Sequence, residues 1–150
     1  MKKAVLMIAA AVMSLSMLAG CGGGKAVSYK DGTYTGKSEV YINEDEESEE
    51  GNGYGVVELT IEGGKITACT FTTYNTDDTL KDENYGKKDG SVANKDYFKK
   101  AQHALGACPK YAEQLVEAGS LDGVDAISGA TVNYNEFKEA VNAALKEAEE

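Results

Sequence analysis

The sequence predicts an α+β fold in which a small antiparallel sheet, containing at least one hairpin, packs against two or three helices. The prediction depends on two observations. Residues 54–74 alternate like a pair of strands joined by a glycine turn, and residues 95–118 and 134–150 carry apolar side chains at helical spacing. Strands and helices that follow one another in separate blocks are typical of α+β folds.

The first 20 residues have the layout of an export signal. A short basic start is followed by an apolar run, and Leu18-Ala19-Gly20-Cys21 matches a lipobox. We expect cleavage before Cys21 and lipid attachment to its thiol. Residues 21–30 would then be the lipidated cysteine and a flexible glycine-bearing linker, and residues 31–150 a single domain. An uncleaved transmembrane anchor is the alternative, but the apolar run is shorter than the roughly 20 residues that a bilayer span needs.

The charge of the chain argues against nucleic acid as a partner. It has 15 basic and 25 acidic side chains, a net charge of −10 that becomes more negative when Lys2 and Lys3 leave with the signal. Such a protein has no basic patch to neutralise phosphates. It is also repelled by an anionic membrane surface, so we expect the lipid to hold the domain at the extracytoplasmic face of the cell membrane.

The first half of the domain contains three predicted strands. An early strand is expected at 32–42, and the acidic stretch 43–52 is expected to be a solvated loop because its carboxylates repel one another. A calcium loop is the alternative for this stretch, although it lacks the spacing of an EF-hand. The clearest element is a hairpin: residues 54–62 alternate, Gly63-Gly64 suits a tight turn, and residues 66–74 form the partner strand.

The second half is predicted to be helical after a long polar loop at 75–95. The pattern at 95–118 is amphipathic, and Gly119 is a C-cap candidate. Pro109 lacks a backbone donor and clashes with the preceding turn, so we expect a break near Ala107 and a second helix that starts at about Pro109.

The last helix is preceded by a turn of small residues. Asn133 and Glu136 have the spacing of a capping box, which predicts that the helix begins at Tyr134 and that Thr131 lies just outside its first turn. The unpaired N–H groups of a helix start favour a phosphate. The small pair Gly129-Ala130 would leave the Thr131 hydroxyl accessible to a second macromolecule. Ser, Gly and Thr are also common at ordinary loop-to-helix junctions.

The sequence shows no metal site and no catalytic residues of its own. It has no CxxC motif and no pair of histidines, and His103 is expected to be a surface or half-buried side chain. Cys69 and Cys108 are compatible either with a disulfide or with two buried free thiols. No Ser/His/Asp set is present, and the cysteines lack a basic neighbourhood that would activate them. Any redox chemistry would therefore come from a cofactor.

The turn before the last helix resembles the acceptor motif of the bacterial FMN-binding domain family. The matching residues are Asp125, Ser128, Gly129, Ala130 and Thr131. This family includes flavin subunits of the sodium-pumping NADH:quinone reductase and lipoproteins of Gram-positive extracellular electron transfer. The lipoprotein branch is the more similar, since residues 31–34, 81–86 and 124–127 also match it. The resemblance covers most of the chain after the signal.

The resemblance implies a covalent FMN. In this family a flavin transferase moves FMN from FAD onto the threonine as a phosphoester, and Thr131 is the matching residue. Tyr85, from the segment shared with the lipoprotein branch, and Tyr134 are candidates for contact with the flavin ring.

The implied function is that of an electron carrier. It would accept electrons from a membrane quinol or dehydrogenase and pass them to an extracellular acceptor, while its lipid holds it at the membrane. A non-redox surface lipoprotein that binds a ligand or a partner protein is the alternative.

Overall fold

A computed structural model of the protein describes residues 27–149. The predicted signal 1–20, the lipidation at Cys21 and the first part of the linker lie outside the described residues. The described chain contains strands β1 (Gly32–Lys37), β2 (Tyr54–Glu62) and β3 (Lys65–Tyr74), then helix α1 (Lys95–Ala118), a short 3-10 turn (Leu121–Gly123) and helix α2 (Thr131–Ala148). The predicted α+β fold is confirmed.

The three strands form an antiparallel sheet in the order β1-β2-β3. The predicted hairpin joins β2 to β3 through Gly63 and Gly64, whose φ angles of 60° and 72° are the positive values that a tight turn requires. The alternation of β2 is confirmed as well. Three of its side chains are fully buried: Val57, Leu59 and Ile61.

Strand β1 is shorter than the strand predicted at 32–42. Just after β1, the Ser38 hydroxyl accepts a hydrogen bond from the Gly55 N–H at 2.9 Å and donates to the Glu39 carbonyl at 2.8 Å. A side chain thus takes over a ladder bond, which is a way for serine to end a strand. Tyr41 rejoins the sheet only through an isolated bridge to Gly53. The acidic stretch 43–52 forms the predicted irregular and mostly exposed loop.

Helix α1 runs through Pro109 without a break, so the prediction of two helices was wrong. A proline inside a helix costs about 3 kcal/mol. The apolar face continues across it, however, and buries Tyr111 and Leu115 completely. Burying each of these side chains contributes about 1.5–3 kcal/mol, enough to offset the proline. Asn94 is the N-cap, and its side chain accepts from two backbone N–H groups; Gly119 is the C-cap, as predicted.

Helix α2 begins three residues earlier than expected, because the predicted capping box does not form. The N-cap is Ala130, and Thr131 is the first helical residue. Asn133 instead donates from Nδ2 to the Ala104 carbonyl (3.1 Å) and to Cys108 Sγ (3.2 Å), and Glu136 is buried. Packing against α1 has taken over the side chains that the local pattern assigned to capping.

The two helices cover one face of the sheet. Helix α2 packs on β1 and β2, and α1 packs on β3. An aromatic cluster joins the layers: Phe137 of α2 meets Phe71 of β3 edge-on at 5.0 Å between ring centroids and stacks on Tyr111 of α1 at 5.7 Å. These contacts fix where α2 begins relative to α1.

Helix α2 packs closely on β1 at Gly36. A β-carbon at Gly36 would overlap the backbone of Ala140 and Ala144, neither of which can move without shifting the helix. Gly106, on the exposed side of α1, has open space around it. Alanine substitutions at Gly36 and Gly106 therefore form a matched pair of variants that tests this contact.

A group of polar side chains, Thr73, Lys81, Cys108, Asn133 and Glu136, is buried where α1 and α2 meet the end of the hairpin. We call it the buried polar cluster. Within residues 27–149, neither carboxyl oxygen of Glu136 has a hydrogen-bond partner. Burial, the largest influence, raises the pKa of Glu136 to about 7, although the positive charge of Lys81 opposes the increase. The fold therefore favours a neutral carboxyl at this position.

We expect Gly36→Ala to lower the free energy of unfolding by several kcal/mol, because the added methyl group forces β1 and α2 apart. Gly106→Ala should instead raise it by about 0.5–1 kcal/mol, because alanine is the better helix former. Urea unfolding followed by circular dichroism measures both values. Equal effects of the two substitutions would contradict the close contact at Gly36.

We expect Glu136→Gln to change how stability depends on pH. The carboxyl binds its proton more tightly in the folded state, so the wild-type protein loses stability as pH rises from about 4.5 through about 7. The variant lacks this loss and should gain up to about 3 kcal/mol on the wild type between about pH 4 and pH 8. Urea unfolding across this range measures the gain, and Glu147→Gln, an exposed site on the same helix, is the control. Parallel pH profiles of wild type and Glu136→Gln would refute the burial of an ionisable carboxyl.

Candidate functional site

The residues of the predicted acceptor motif form a tight turn directly before α2. The Ala130 N–H donates to the Ile127 carbonyl at 3.0 Å, which closes the turn, and Gly129 has a φ of 80°. Ser128 and Gly129 are exposed, whereas the Ala130 methyl is buried. We call residues 127–130 the acceptor turn.

Thr131 follows this turn as the first residue of α2, and its side chain is exposed. The N-cap residue, Ala130, has no side-chain acceptor, so no side chain at this position caps the N–H groups of the first helical turn. These donors and the positive end of the helix dipole lie beside the Thr131 hydroxyl. The arrangement suits a phosphate group attached at Thr131.

Tyr111 of α1 hydrogen-bonds to the backbone of the acceptor turn. The buried Tyr111 hydroxyl accepts from the Ile127 N–H (3.0 Å) and donates to the Ala130 carbonyl (3.2 Å). Burial raises the pKa of Tyr111, so this hydroxyl keeps its proton at neutral pH. Tyr134 adds a second anchor by donating to the Val124 carbonyl at 3.0 Å.

His103 of α1 is a site residue that the sequence did not indicate. Its Nε2–H donates to the Ser128 carbonyl at 2.8 Å. A β-carbon at Gly129 would lie 3.2 Å from His103 Cδ2, so the imidazole packs directly against the glycine of the acceptor turn. The sequence predicts only a surface or half-buried histidine at this position. No local pattern could have revealed a contact between residues 25 positions apart.

Asp125 and Tyr134 lie at the edges of the acceptor turn. Asp125 is exposed, and its N–H donates to the Gln114 side chain at 2.7 Å. The Tyr134 ring packs against Tyr111, with 5.5 Å between centroids, while the Lys138 ammonium lies 4.3 Å from the Tyr134 centroid. Contact between Tyr134 and a flavin ring stays a prediction.

Tyr85 belongs to a segment that is docked on α1. Gln102 donates from Nε2 to the Tyr85 carbonyl at 2.9 Å and to the Asp82 carbonyl at 3.2 Å. The Tyr85 hydroxyl accepts from the Gly51 N–H at 3.1 Å. A β-carbon at Gly51 would in turn lie 3.5 Å from Val132 Cγ1, so Gly51 links the Tyr85 segment to the first turn of α2.

Tyr85 also lines a polar cleft of about 1010 Å³ between the acidic loop and the segment that follows β3. Its size is at the upper end of the range for small-molecule sites, which is about 300–1,000 Å³. Thr131 is not among the lining residues, but Tyr85 lines it and Gly51 joins Tyr85 to α2. Tyr85 as one wall of a flavin site stays a prediction.

The cysteines and the acidic side chains provide no further reactive centre within residues 27–149. Cys69 and Cys108 are both free, and burial raises the pKa of Cys69 to about 12 and also raises the pKa of Cys108. No group of His, Cys, Asp or Glu in this part of the chain could hold a metal ion. None of its helices is long and apolar enough to cross a membrane.

Comparison with known proteins identifies the family. The family model described as FMN-binding domain matches residues 51–146. The crystal structure of the CPE2226 protein from Clostridium perfringens is similar, with a TM-score of 0.55 and 24% sequence identity over 80% of this chain and 88% of that chain. At this identity the similarity shows the fold alone. No curated protein matches.

The family match includes the acceptor turn, Thr131 and most of α2, together with β2, β3 and α1. It extends over more than half of the chain. The protein therefore belongs to the family of FMN-binding domain proteins, and its cofactor is FMN.

Proposed function

We infer that the protein is a membrane-anchored, extracytoplasmic electron carrier whose FMN is joined covalently to Thr131. The observation that carries this proposal is the exposed Thr131 side chain at the start of a helix without a side-chain cap. The family supplies the identity of the cofactor, and this site supplies a hydroxyl next to donors for its phosphate.

The attachment reaction is a phosphoryl-group transfer from FAD, catalysed by a separate flavin transferase. The Thr131 oxygen releases its proton to water and bonds to the phosphorus of the FMN half, while the phosphoanhydride bond breaks and AMP leaves. The transferase must reach the threonine from outside, and the exposed, small residues Ser128 and Gly129 leave room for it. Tyr111 and His103 keep the acceptor turn in one conformation.

The described residues fit the two ends of FMN. Backbone N–H groups of the first turn of α2 would bind the phosphate, and Tyr85 and Tyr134 are candidates to contact the ring. Bound FMN supplies one-electron and two-electron redox chemistry that side chains lack. A covalent bond also keeps the cofactor with the protein outside the cell, where a dissociated flavin would be diluted away.

The remaining parts of the proposal concern the membrane. Lipid on Cys21 would anchor a strongly acidic domain that an anionic membrane repels, and the following glycines would act as a flexible leash. The carrier could then move between a membrane quinol or dehydrogenase, as electron donor, and an extracellular acceptor.

We expect co-expression with a flavin transferase to add the mass of FMN less one water to the wild-type protein. Thr131→Ala should abolish this addition, because it removes the oxygen that forms the phosphoester, and Thr131→Ser should retain it. Intact-mass spectrometry of denatured protein measures the addition. Thr35→Ala, which removes an exposed threonine of β1, is the matched control.

A modification that persists in Thr131→Ala would place the flavin elsewhere. A wild-type protein that stays colourless and unmodified in the presence of an active transferase would support the non-redox lipoprotein instead.

We expect His103→Ala to slow flavin attachment about fivefold. The lost hydrogen bond to Ser128 is worth about 1 kcal/mol, so the acceptor turn spends less time in the competent conformation. His103→Gln keeps an N–H donor and should recover part of the rate. A time course of intact mass measures the rates, with Lys100→Ala, an exposed site on α1, as the control. Equal rates for His103→Ala and Lys100→Ala would show that His103 does not position the turn.

A further inference from the structure

We propose that Glu136, together with Lys81, is an internal proton-binding site that takes up a proton when negative charge arrives at the flavin site. The inference rests on the proposed function for the source of that charge. It assigns a role to the buried polar cluster, which neither the flavin attachment nor the family match requires.

The first step is the position of the two charged groups. The Lys81 ammonium lies over Gly53, where a β-carbon would be 3.0 Å from Nζ. The side chain of Glu136 lies over Gly55, where a β-carbon would be 3.2 Å from Glu136 Cβ. A β-carbon at either glycine would crowd one of these side chains, and the positive charge of Lys81 is close enough to act on the Glu136 carboxyl.

The buried carboxyl of Glu136 is available to bind a proton. Glu136 is 3% exposed, and neither of its oxygens has a hydrogen-bond partner in the part of the chain that the structure describes. Thr73, which opposes Gly55 in the sheet, lies against the Cys108 thiol in the same cluster. Buried carboxyl groups in folded proteins are usually paired or hydrogen-bonded. Glu136 therefore has free oxygens at which a proton can be gained or lost without breaking a hydrogen bond.

The third step connects Lys81 to the cleft. The Lys81 Nζ donates to the Gly51 carbonyl at 3.1 Å and lies 5.0 Å from the centroid of the Tyr85 ring. Gly51 also binds the Tyr85 hydroxyl and faces Val132 at the start of α2. The same ammonium therefore acts on the Glu136 carboxyl through its charge and also lies near the Tyr85 ring, the proposed flavin wall.

Each element that packs against Glu136 contributes to its charge environment. Lys81, after β3, favours the ionised carboxylate; Glu139, on α2 itself, opposes it; and Cys108 of α1 is a neutral thiol because burial raises its pKa. Strand β2 offers Gly55, which has no side chain. Burial places the pKa of Glu136 at about 7, so its proton occupancy responds to small changes in the charge nearby.

Flavin reduction and proton binding are coupled because one cation, Lys81, stabilises both the Glu136 carboxylate and the negative charge at the flavin site. When the flavin site gains negative charge, the positive charge of Lys81 interacts with both anions. The ionised carboxylate of Glu136 is then stabilised less, so its proton affinity rises. In this step a reductant gives electrons to the flavin and is itself oxidised. A proton moves from water to a Glu136 oxygen, and no bond between the protein and the cofactor changes. The interior thus compensates part of the charge that reduction adds.

The first experiment needs no flavin. Carboxyl carbon NMR of the unmodified protein follows the titration of Glu136, with Glu136→Gln to identify its signal. Thr131→Glu places a negative charge at the attachment residue, and Thr131→Gln is its neutral match. We expect Glu136 to titrate near neutral pH and its proton affinity to be roughly threefold or more higher in Thr131→Glu than in Thr131→Gln.

The second experiment uses the flavinylated protein and spectroelectrochemical titration with dithionite as reductant. The midpoint potentials of wild type and Glu136→Gln should coincide at about pH 5, where Glu136 is neutral in both redox states, and diverge by about pH 9. At about pH 9 the midpoint potential of the wild type should be lower by about 30 mV for each tenfold rise in the proton affinity of Glu136 on two-electron reduction. Glu147→Gln on the exposed side of α2 should follow the wild type at both pH values.

The two experiments separate the inference from the proposed function. Loss of flavin attachment would refute the carrier while leaving the NMR comparison to decide the proton site. A Glu136 signal that does not titrate near neutral pH, or that titrates identically in Thr131→Glu and Thr131→Gln, overturns the inference. Potentials that differ between wild type and Glu136→Gln by the same amount at every pH overturn it as well.

Discussion

The hydroxyl group of Tyr111 joins helix α1 to the turn that precedes helix α2. One oxygen accepts from the Ile127 N–H and donates to the Ala130 carbonyl, and the ring beneath it stacks on Phe137. Buried backbone groups that lose such a partner cost about 1–3 kcal/mol each. The geometry at Thr131 therefore depends on a side chain that is fully buried and sits about two turns beyond His103 on the same helix.

The proposed attachment site for an anionic cofactor lies on a strongly acidic protein. The net charge of −10 repels a phosphate at long range, yet that repulsion between exposed charges is screened beyond about 10 Å by salt. Close to Thr131 the field is set by helix N–H groups, and a histidine binds the adjoining turn. The site can therefore favour phosphate although the whole molecule is acidic, because nearby dipoles outweigh distant charges.

The buried polar cluster lowers the stability of the fold, but it also fixes how α1 and α2 meet. Asn133 binds both a backbone carbonyl and a thiol of α1, which fixes how the two helices meet. Glu136 next to it is buried without a hydrogen bond to any described residue, and this burial destabilises the folded protein at neutral pH. Glu136 therefore lowers the stability of the protein, and it lies one turn inside the helix that begins at Thr131. A buried carboxyl in this position is suited to a role in redox chemistry.

The amino-acid sequence alone determined the elements with short-range causes. Alternation and the Gly63-Gly64 turn predicted the hairpin, helical spacing predicted both helical regions, and Gly119 predicted where the first one ends. The motif that ends at Thr131 indicated the family. Each of these features depends on neighbours along the chain, so it can be read from local periodicity and turn chemistry.

Only the tertiary structure decided the rest, because contacts between distant residues outweigh local preference. Helix α1 continues through Pro109 since its buried face offsets the cost of the proline. Asn133 binds α1 instead of capping α2, so Thr131 lies inside the helix and not before it. The bond from His103 to Ser128 and the burial of Glu136 beside Lys81 arise when separate elements are packed together, and no pattern along the chain encodes them.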